Sequence, residues 1–505
     1  MVPRFSDDQQ AAWDAVAALL KRRGVDLAAG TSEAPEPGNA KMCAVVGKAG
    51  SGKTFFLAEL TKAARAAGVS LLAADNGKKP KAGQRTLAIL TPTNKAAHVL
   101  RLRGVPATTL HRALYTPKYH SDYQHLVDWL TGEGEEVESE ILGPEGRQKA
   151  MAFFKAHNSV VGALAMAGLR GSDFITSWTR RQDPLDIGFV DEASMLDEEQ
   201  VGDLRSLFPS LVLFGDPAQL APVGRTGDLV LDDIPDRLTL SRVHRQTADN
   251  PILDLAHLIT EPSTTFRDVE DAVGEMAARD ERVAMTPRVN ADLMARSPVL
   301  VWRNQTRIRL IHAFRAAYDA PADQLIPGEP LVCDGVELPA KYAKRRMELE
   351  GRGLIRGAQV IYLRPGRQAG FSRLHVLGAE EPNISAASIV KIEAVGEDEP
   401  WLPFAARMGA VFVHGAALTI HKAQGSQWPD VQLFAPDLFI AARMNRDEAG
   451  VPLWKRLAYV AVTRAQERLH WITHARLARP TAPLSVDDLP AGAVMLGTPA
   501  DEPEF

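Results

Sequence analysis

Eight residues near the N-terminus have the types and spacing of a phosphate-binding loop. Residues 47–54 read GKAGSGKT, after an apolar run at 42–46 and before a helical pattern at 55–66. Glycines let main-chain N–H groups turn toward phosphate oxygens at the start of a helix. In this pattern the lysine reaches the β- and γ-phosphates and the last hydroxyl binds Mg²⁺. We therefore predict an ATP and Mg²⁺ site that uses Gly47, Gly50, Ser51, Gly52, Lys53 and Thr54; the alternative, a chance glycine-rich turn, does not require the flanking strand and helix.

Two further segments carry groups that suit phosphoryl transfer. The apolar run 187–190 ends in Asp191 and Glu192. A carboxylate at this place helps to hold Mg²⁺, and its neighbour orients or deprotonates the attacking water. The run 211–214 leads into the turn GDPAQL, in which Gln219 is placed to sense the γ-phosphate or to position water. Each segment alone also fits a solvated strand end or a simple turn, and the P-loop nearby favours the functional interpretation.

The elements that must position these groups alternate between strand and helix. Four short apolar runs, at 42–46, 86–90, 187–190 and 211–214, are each followed by turn residues and a helical pattern. This alternation predicts an α/β fold with a parallel sheet. A helix is predicted over 6–23, with Ser6 as its N-cap.

Composition narrows the class of protein. The chain has 505 residues, a formal net charge of −5 and 45% hydrophobic residues, which indicates a globular protein of several domains. Two cysteines are too few for a disulfide framework, and neither a signal peptide nor a membrane span is expected. These features favour a reducing, cytoplasmic setting.

Four more segments complete an ordered motif set. They are 91–97 (TPTNKAA), 243–246 (VHRQ), 418–425 (LTIHKAQG) and 459–465 (YVAVTRA). Together with the P-loop, the Asp-Glu pair and the GDPAQL turn, this order resembles the superfamily 1 DNA helicases, especially the RecD-like branch that includes phage Dda-like enzymes. Seven motifs in family order are far more specific than a P-loop alone.

The resemblance implies further residues at the nucleotide. Gln9 matches the glutamine that reads the adenine ring, and Gly425 falls within the nucleotide-binding set. Arg245 and Arg464 match two arginines that reach the γ-phosphate. An arginine from a second domain stabilises transition-state charge only when the cleft is closed, which makes hydrolysis depend on domain position.

The resemblance also implies a path for a DNA strand. Hydroxyl and amide side chains beside helix ends suit sequence-independent contacts with phosphates and sugars. The implied DNA-binding residues are Thr91, Pro92, Thr93, Asn94, Thr109 and His111, followed by Thr419, His421, Lys422 and Gln424. Aromatic platforms for stacked bases are less defined; Tyr115, Trp302 and Trp428 are candidates, and each fits a core position equally well.

The implied architecture comprises two RecA-like P-loop domains with two insertions. The first domain covers 1–114 and 182–247, and the second covers 248–325 and 409–480. Residues 115–181 form an insertion with the place of a strand-separating pin, and 326–408 form a β-rich, SH3-like barrel. Residues 481–505 are expected to be a flexible tail.

The expected function is ATP-dependent unwinding of duplex DNA in replication, recombination or repair, with 5′-to-3′ polarity implied by the resemblance alone. Expected partners are single-stranded DNA, forked duplexes and proteins such as a single-strand-binding protein. The alternative is a nucleic-acid-stimulated ATPase that acts as a switch or as a subunit of a recombination complex without unwinding. A strand-displacement assay distinguishes the two.

Overall fold

The computed structural model describes most of the chain. The described residues are 5–34, 41–72, 84–102, 104–136, 138–139, 141–169, 175–181, 185–220, 231, 234–241, 250–338, 343–379, 381–393, 406–448, 450–487 and 489. Within these ranges no helix is long and apolar enough to cross a membrane.

The first sheet carries the P-loop. Its strands are all parallel, in the order Arg237–Leu240, Lys41–Gly47, Ser210–Gly215, Ile187–Val190, Thr86–Thr91 and Ser70–Leu71, with Ala107–Thr109 also pairing with Thr86–Thr91. The central strands are buried on both faces, which requires nearly continuous apolar runs. The four predicted strands all lie in this sheet.

Helices cover both faces of the first sheet. They are Asp7–Lys21, Lys53–Ala66, Asn94–Leu102, Leu110–Leu114 and Glu198–Leu207, with a 3₁₀ turn at Ala193–Met195. One face packs Val45 and Phe214 against Phe56 of the P-loop helix (Lys53–Ala66), and the other packs Val46 against Leu204. The first helix begins at the predicted N-cap, where Ser6 and Gln9 form a capping box.

The second sheet is also parallel. Its order is Val283–Asn290, Ala465–Ala478, Trp428–Phe434, Val299–Val301 and Ala417–Thr419. Its helices are Pro251–Thr260, Phe266–Ala277, Ala291–Met294, Asn304–Ala317, Ile420–Ala423, Ala435–Met444 and Leu453–Val462. Two parallel sheets with flanking helices confirm the predicted α/β fold class. Leu220 of the first domain reaches the core of the second, so the two domains are in contact.

A closed five-stranded barrel interrupts the second domain. Its strands are Pro330–Glu337, Gln359–Pro365, Phe371–Val376, Asn383–Lys391 and Gly409–His414, and Ala343–Gly351 is a helix. The boundary predicted at residue 409 requires correction, because Gly409–His414 pairs with the first and fourth barrel strands and does not rejoin the second sheet. This strand is buried on both sides, so its apolar run resembles a strand of a parallel sheet.

The insertion at 115–181 forms a subdomain of its own. Tyr115–Tyr119 pairs antiparallel with Ile175–Arg180, and the helices Asp122–Thr131, Pro144–His157 and Val160–Met166 share a small core. Phe153 and Val161 of this subdomain pack against Ile389 and Val411 of the barrel. Two short hairpins, Val25–Asp26 with Thr31–Ser32 and Asp447–Glu448 with Val451–Pro452, complete the described elements.

Candidate nucleotide site and strand-binding surface

The P-loop joins the strand Lys41–Gly47 to the P-loop helix. Gly50 and Gly52 both have left-handed main-chain conformations, with φ of 82° and 81°, which a side chain would strain. The Lys53 ammonium donates to the main-chain oxygens of Gly47 and Lys48. The loop therefore holds its own lysine at the place where phosphate oxygens would be bound.

A single cavity of about 1340 Å³ opens beside this loop. It is lined from the first domain by Gln9, Gly50, Ser51, Gly52, Lys53, Thr54, Asp191, Glu192 and Gln219, and from the second by Gly425 and Arg464. Most predicted nucleotide residues thus face one crevice between the domains. Gly47 is not among the lining residues.

The adjacent acids lie where the strand Ile187–Val190 ends. Asp191 continues the strand for one residue, since its N–H donates to the Leu90 carbonyl at 2.9 Å. Glu192 has a left-handed φ of 55°, which is uncommon away from glycine and is found at sites under functional constraint. The Thr54 hydroxyl and the Asp191 carboxylate line the same cavity. Both supply the hard oxygen donors that Mg²⁺ prefers, so these residues fit the predicted metal.

The two glutamines are held in place by main-chain partners. The buried Gln9 side chain donates to the Ser51 carbonyl at 3.3 Å and accepts from the Ser6 N–H, which ties the first helix to the P-loop. Gln219 is buried in the GDPAQL turn, where its N–H donates to the Asp216 carbonyl at 3.1 Å. Both side chains reach the cavity from the first domain.

Arg464 approaches from the opposite domain. It is buried, and its guanidinium donates to the carbonyls of Val460 and Ser426 and to the Thr463 hydroxyl, at 3.0–3.1 Å. Burial lowers the pKa of Arg464, and the negative charge of Glu192 opposes that change. Arg464 is therefore held by hydrogen bonds within its own domain, close enough to interact electrostatically with Glu192 of the other domain.

The predicted strand-binding residues of the first domain divide into two groups. Thr91 is fully buried and its hydroxyl donates to the Thr93 carbonyl at 2.8 Å, so in this structure it shapes the loop. Thr109 is also buried, at the start of Leu110–Leu114. Pro92, Thr93 and Asn94 are half-buried and His111 is exposed, so these four remain accessible.

The second-domain strand motif, residues 418–425, lies next to the first-domain motif at residues 91–97. Thr419 caps the short helix Ile420–Ala423, Lys422 is exposed and His421 is half-buried. A Cβ on Gly425, whose φ is 72°, would lie 3.2 Å from the Thr93 hydroxyl, so the two strand motifs meet there. The buried Gln424 amide nitrogen has no hydrogen-bond partner among the described residues.

The candidate stacking aromatics are mostly structural. Trp428 is 2% exposed and belongs to the core of the second domain. Trp302 is half-buried against that core, and the Tyr115 hydroxyl donates to the Asp203 carboxylate. The core alternative therefore accounts for Trp428.

Lys95 connects the two domains beside this surface. Its ammonium lies 4.9 Å from the centre of the Trp428 ring, a cation–π contact. Burial and the positive charge of Arg464 lower the pKa of Lys95 to about 7. This lysine and Tyr459 have no role in the sequence-based prediction, although both lie within its motifs.

We expect the folded protein to gain stability, relative to Lys95→Met, as pH rises from 6 to 9. Above about pH 7 the folded state has released a proton that the unfolded chain keeps up to its ordinary lysine pKa, so the cost of burying this amine decreases as pH rises toward that value. The expected gain is about 1–2 kcal/mol. Urea unfolding of both proteins across this pH range measures it, and parallel curves would contradict it.

Helix Pro251–Thr260 supplies cavity residues that no sequence pattern indicated. Asn250, Leu253, Asp254 and His257 line the crevice from the second domain, opposite the P-loop. Their position depends on domain packing, so a local motif could not reveal it. The predicted Arg245 lies outside the described residues.

Comparison with protein families agrees with this geometry. Residues 37–284 match the family described as AAA domain, and residues 414–472 match the UvrD-like helicase C-terminal domain. The fold and cavity define a P-loop nucleoside triphosphatase whose two domains share one site. These matches support the superfamily 1 DNA helicase class that the order of the motifs predicts.

Solved structures similar to this chain include Pif1 helicases. One is from Bacteroides, in complex with ADP-AlF3 and single-stranded DNA, with 14% identity, 94% and 95% of the two chains covered and a TM-score of 0.45. Another, from Candida albicans, has 14% identity, coverage of 95% and 98% and a TM-score of 0.45. A third concerns unwinding at forked duplex DNA by two coordinating Pif1 helicases, with 14% identity, 94% coverage of both chains and a TM-score of 0.46. Comparison with curated protein sequences returned no match.

Proposed function

We propose that this helicase uses ATP hydrolysis in the shared cavity to move 5′ to 3′ along single-stranded DNA and to separate forked duplexes. The observation that supports this most is that Lys53 and Arg464, from opposite domains, line one crevice. The strand motifs meet beside it, at Thr93 and Gly425. Nucleotide chemistry and strand contacts therefore share one domain boundary.

The first domain would bind and align the nucleotide. Lys53 leaves the main-chain oxygens of the loop for the β- and γ-phosphates, and Gln9 contacts the base. Thr54 and Asp191 would hold Mg²⁺, which neutralises charge on the phosphates. Glu192 orients or deprotonates the attacking water, and Gln219 contacts the γ-phosphate or that water.

The second domain would complete the site. Arg464 reaches the transferred phosphoryl group only after it exchanges its contacts with Val460, Ser426 and Thr463 for the phosphate. When the cleft is closed, the negative charge that develops in the transition state stabilises Arg464 in its new position. Hydrolysis and release then change the spacing of the domains, and the strand held between them advances.

Strand contacts would be made by accessible polar groups without regard to base sequence. Thr93, Asn94, His111 and Lys422 are at least partly exposed and offer hydroxyl, amide, imidazole and ammonium groups. Contacts of these kinds with phosphates and sugars fix position but do not specify sequence. The DNA would be the cell's own, in the cytoplasm, during replication, recombination or repair, with a single-strand-binding protein as a partner on the displaced strand.

Tailed duplexes test the proposal. The purified protein, with ATP and Mg²⁺, is given otherwise identical duplexes that carry either a 5′ or a 3′ single-stranded tail. We expect hydrolysis to be stimulated by single-stranded DNA and the 5′-tailed duplex to be separated preferentially. Preference for the 3′ tail would refute the polarity. Stimulated hydrolysis without strand separation would support the switch alternative.

A further inference from the structure

Tyr459 of the second domain reaches into the P-loop of the first. It lies in the helix Leu453–Val462 and is 1% exposed. Its hydroxyl donates to the Asp216 carboxylate at 2.6 Å and accepts from the Ala49 N–H at 2.7 Å. One hydroxyl therefore joins two first-domain loops, the P-loop and the GDPAQL turn.

Asp216 lies between this hydroxyl and the lysine of the P-loop. The carboxylate is 1% exposed, and one oxygen accepts from the Ala218 N–H at 3.0 Å. The oxygen that Tyr459 contacts lies 3.9 Å from the Lys53 ammonium. A carboxylate removed from water needs donors or an opposite charge, so loss of the tyrosine hydroxyl would leave Lys53 as its nearest described cation.

The Lys53 ammonium cannot bind the Asp216 carboxylate and the nucleotide phosphates equally well. In this structure the Lys53 ammonium donates to main-chain oxygens of Gly47 and Lys48, and Asp216 lies just beyond hydrogen-bond distance. Neutral carbonyls give up an ammonium to phosphate more readily than a buried carboxylate does, since a charged pair in a dry site is stronger. The state of Asp216 therefore affects how tightly phosphates are held.

Further contacts between the two domains hold Tyr459 in this position, so its position depends on how closely the domains approach. Lys48 donates to the Thr260 hydroxyl of the second domain at 2.7 Å. Arg456, one helical turn before Tyr459, donates to the carbonyls of Pro217 and Gln219. Burial and Asp216 raise the pKa of Tyr459 well above its ordinary value, so the hydroxyl remains a donor at neutral pH. Opening of the cleft would withdraw all of these contacts together.

We propose that Tyr459 is a positioning residue that couples domain closure to ATP affinity. When the domains are closed, its hydroxyl occupies Asp216 and leaves Lys53 for the phosphates. When they separate, Asp216 turns to Lys53 and weakens the grip on nucleotide. This inference rests on the proposed function of the cavity and adds a means by which an open cleft releases its product.

Tyr459→Phe tests the hydroxyl while the buried ring is retained. We expect KM for ATP, and Kd for a fluorescent ADP measured by titration, to rise roughly 10- to 100-fold, the range for a lost hydrogen bond to a charged group. We expect kcat to fall much less. Tyr318→Phe is the matched control, because the Tyr318 hydroxyl donates to Asp292 at 2.9 Å within the second domain. That control should change neither constant.

Asp216→Asn in the Tyr459→Phe background provides the decisive comparison. Removal of the competing charge should restore nucleotide affinity to near the wild-type value. If Tyr459→Phe does not fold, Asp216→Asn alone should bind nucleotide at least as tightly as wild type. An unchanged Kd in Tyr459→Phe, no rescue in the double variant, or weaker binding in Asp216→Asn would each overturn the inference. Failure of the wild type to unwind DNA would refute the proposed function and leave these affinities measurable.

Discussion

Lys53→Ala is expected to lower kcat for ATP hydrolysis by at least about 10³-fold. Lys53 lines the cavity, and in the proposed function it is the cation that binds the β- and γ-phosphates, where positioning and charge provide most of the catalysis. Binding of single-stranded DNA should change little, because the accessible strand residues lie in other segments. Steady-state hydrolysis and fluorescence anisotropy with a labelled oligonucleotide measure the two effects.

Lys62→Ala is the matched control for this variant. Lys62 lies in the same helix and is largely exposed, and among the residues that the structure describes it pairs only with the nearby Glu59, an ion pair that contributes little to stability. Its removal should leave hydrolysis unchanged. Near-normal hydrolysis by Lys53→Ala would refute the assignment of the phosphate site.

Arg464→Ala should retain nucleotide binding and lose hydrolysis by about 10³–10⁵-fold, the contribution of arginines that complete such sites from another domain. The effect is expected in the chemical step, because Arg464 is stored on second-domain oxygens until transition-state charge develops. Single-turnover hydrolysis with excess enzyme isolates that step.

Two further variants separate chemistry from folding at this buried position. Arg464→Lys keeps a charge but lacks the planar fork, so it should remain strongly impaired while it folds. Arg468→Ala removes an exposed arginine that pairs with Asp430 at 2.8 Å and should hydrolyse ATP normally. A loss of only a few-fold in Arg464→Ala would refute its assignment to the chemical step, and a lower thermal stability of that variant would indicate a structural role instead.

These variants also distinguish the roles of the two domains. Lys53 and Arg464 act on phosphate and on transition-state charge, so their loss should reduce rate. Tyr459 acts through Asp216 on the availability of Lys53, so its loss should raise KM. A nucleotide site of one domain alone would show no effect of Tyr459→Phe.

Much of the nucleotide site could be predicted because each of its motifs consists of residues that are close together in the sequence. The P-loop, the Asp-Glu pair and the GDPAQL turn each follow a buried parallel strand, and the carboxyl ends of such strands meet at one edge of a sheet. The strands Lys41–Gly47 and Ile187–Val190 thus bring Lys53 and Asp191 to one cavity. Lys53 and Arg464 both line this cavity, as the sequence-based prediction expects.

Predictions from residue type were weaker where burial in the folded protein determines the environment of a side chain. Thr91 has a hydroxyl suited to a strand contact, but packing directs it into its own loop. Gly409–His414 has the apolar run of a parallel strand, but the barrel and the insertion bury it instead. In both cases the residue types allow either environment, and the neighbours that select one are distant in the chain.

The sequence by itself determined that two α/β domains present a P-loop, its acids and a remote arginine, because each motif is set by residues next to one another. Only the tertiary structure decided that Tyr459 donates to Asp216, 243 residues away, and that Lys95 lies over Trp428. Those contacts depend on how two sheets pack across a cleft. No local pattern of residue types specifies how the two sheets are arranged across that cleft.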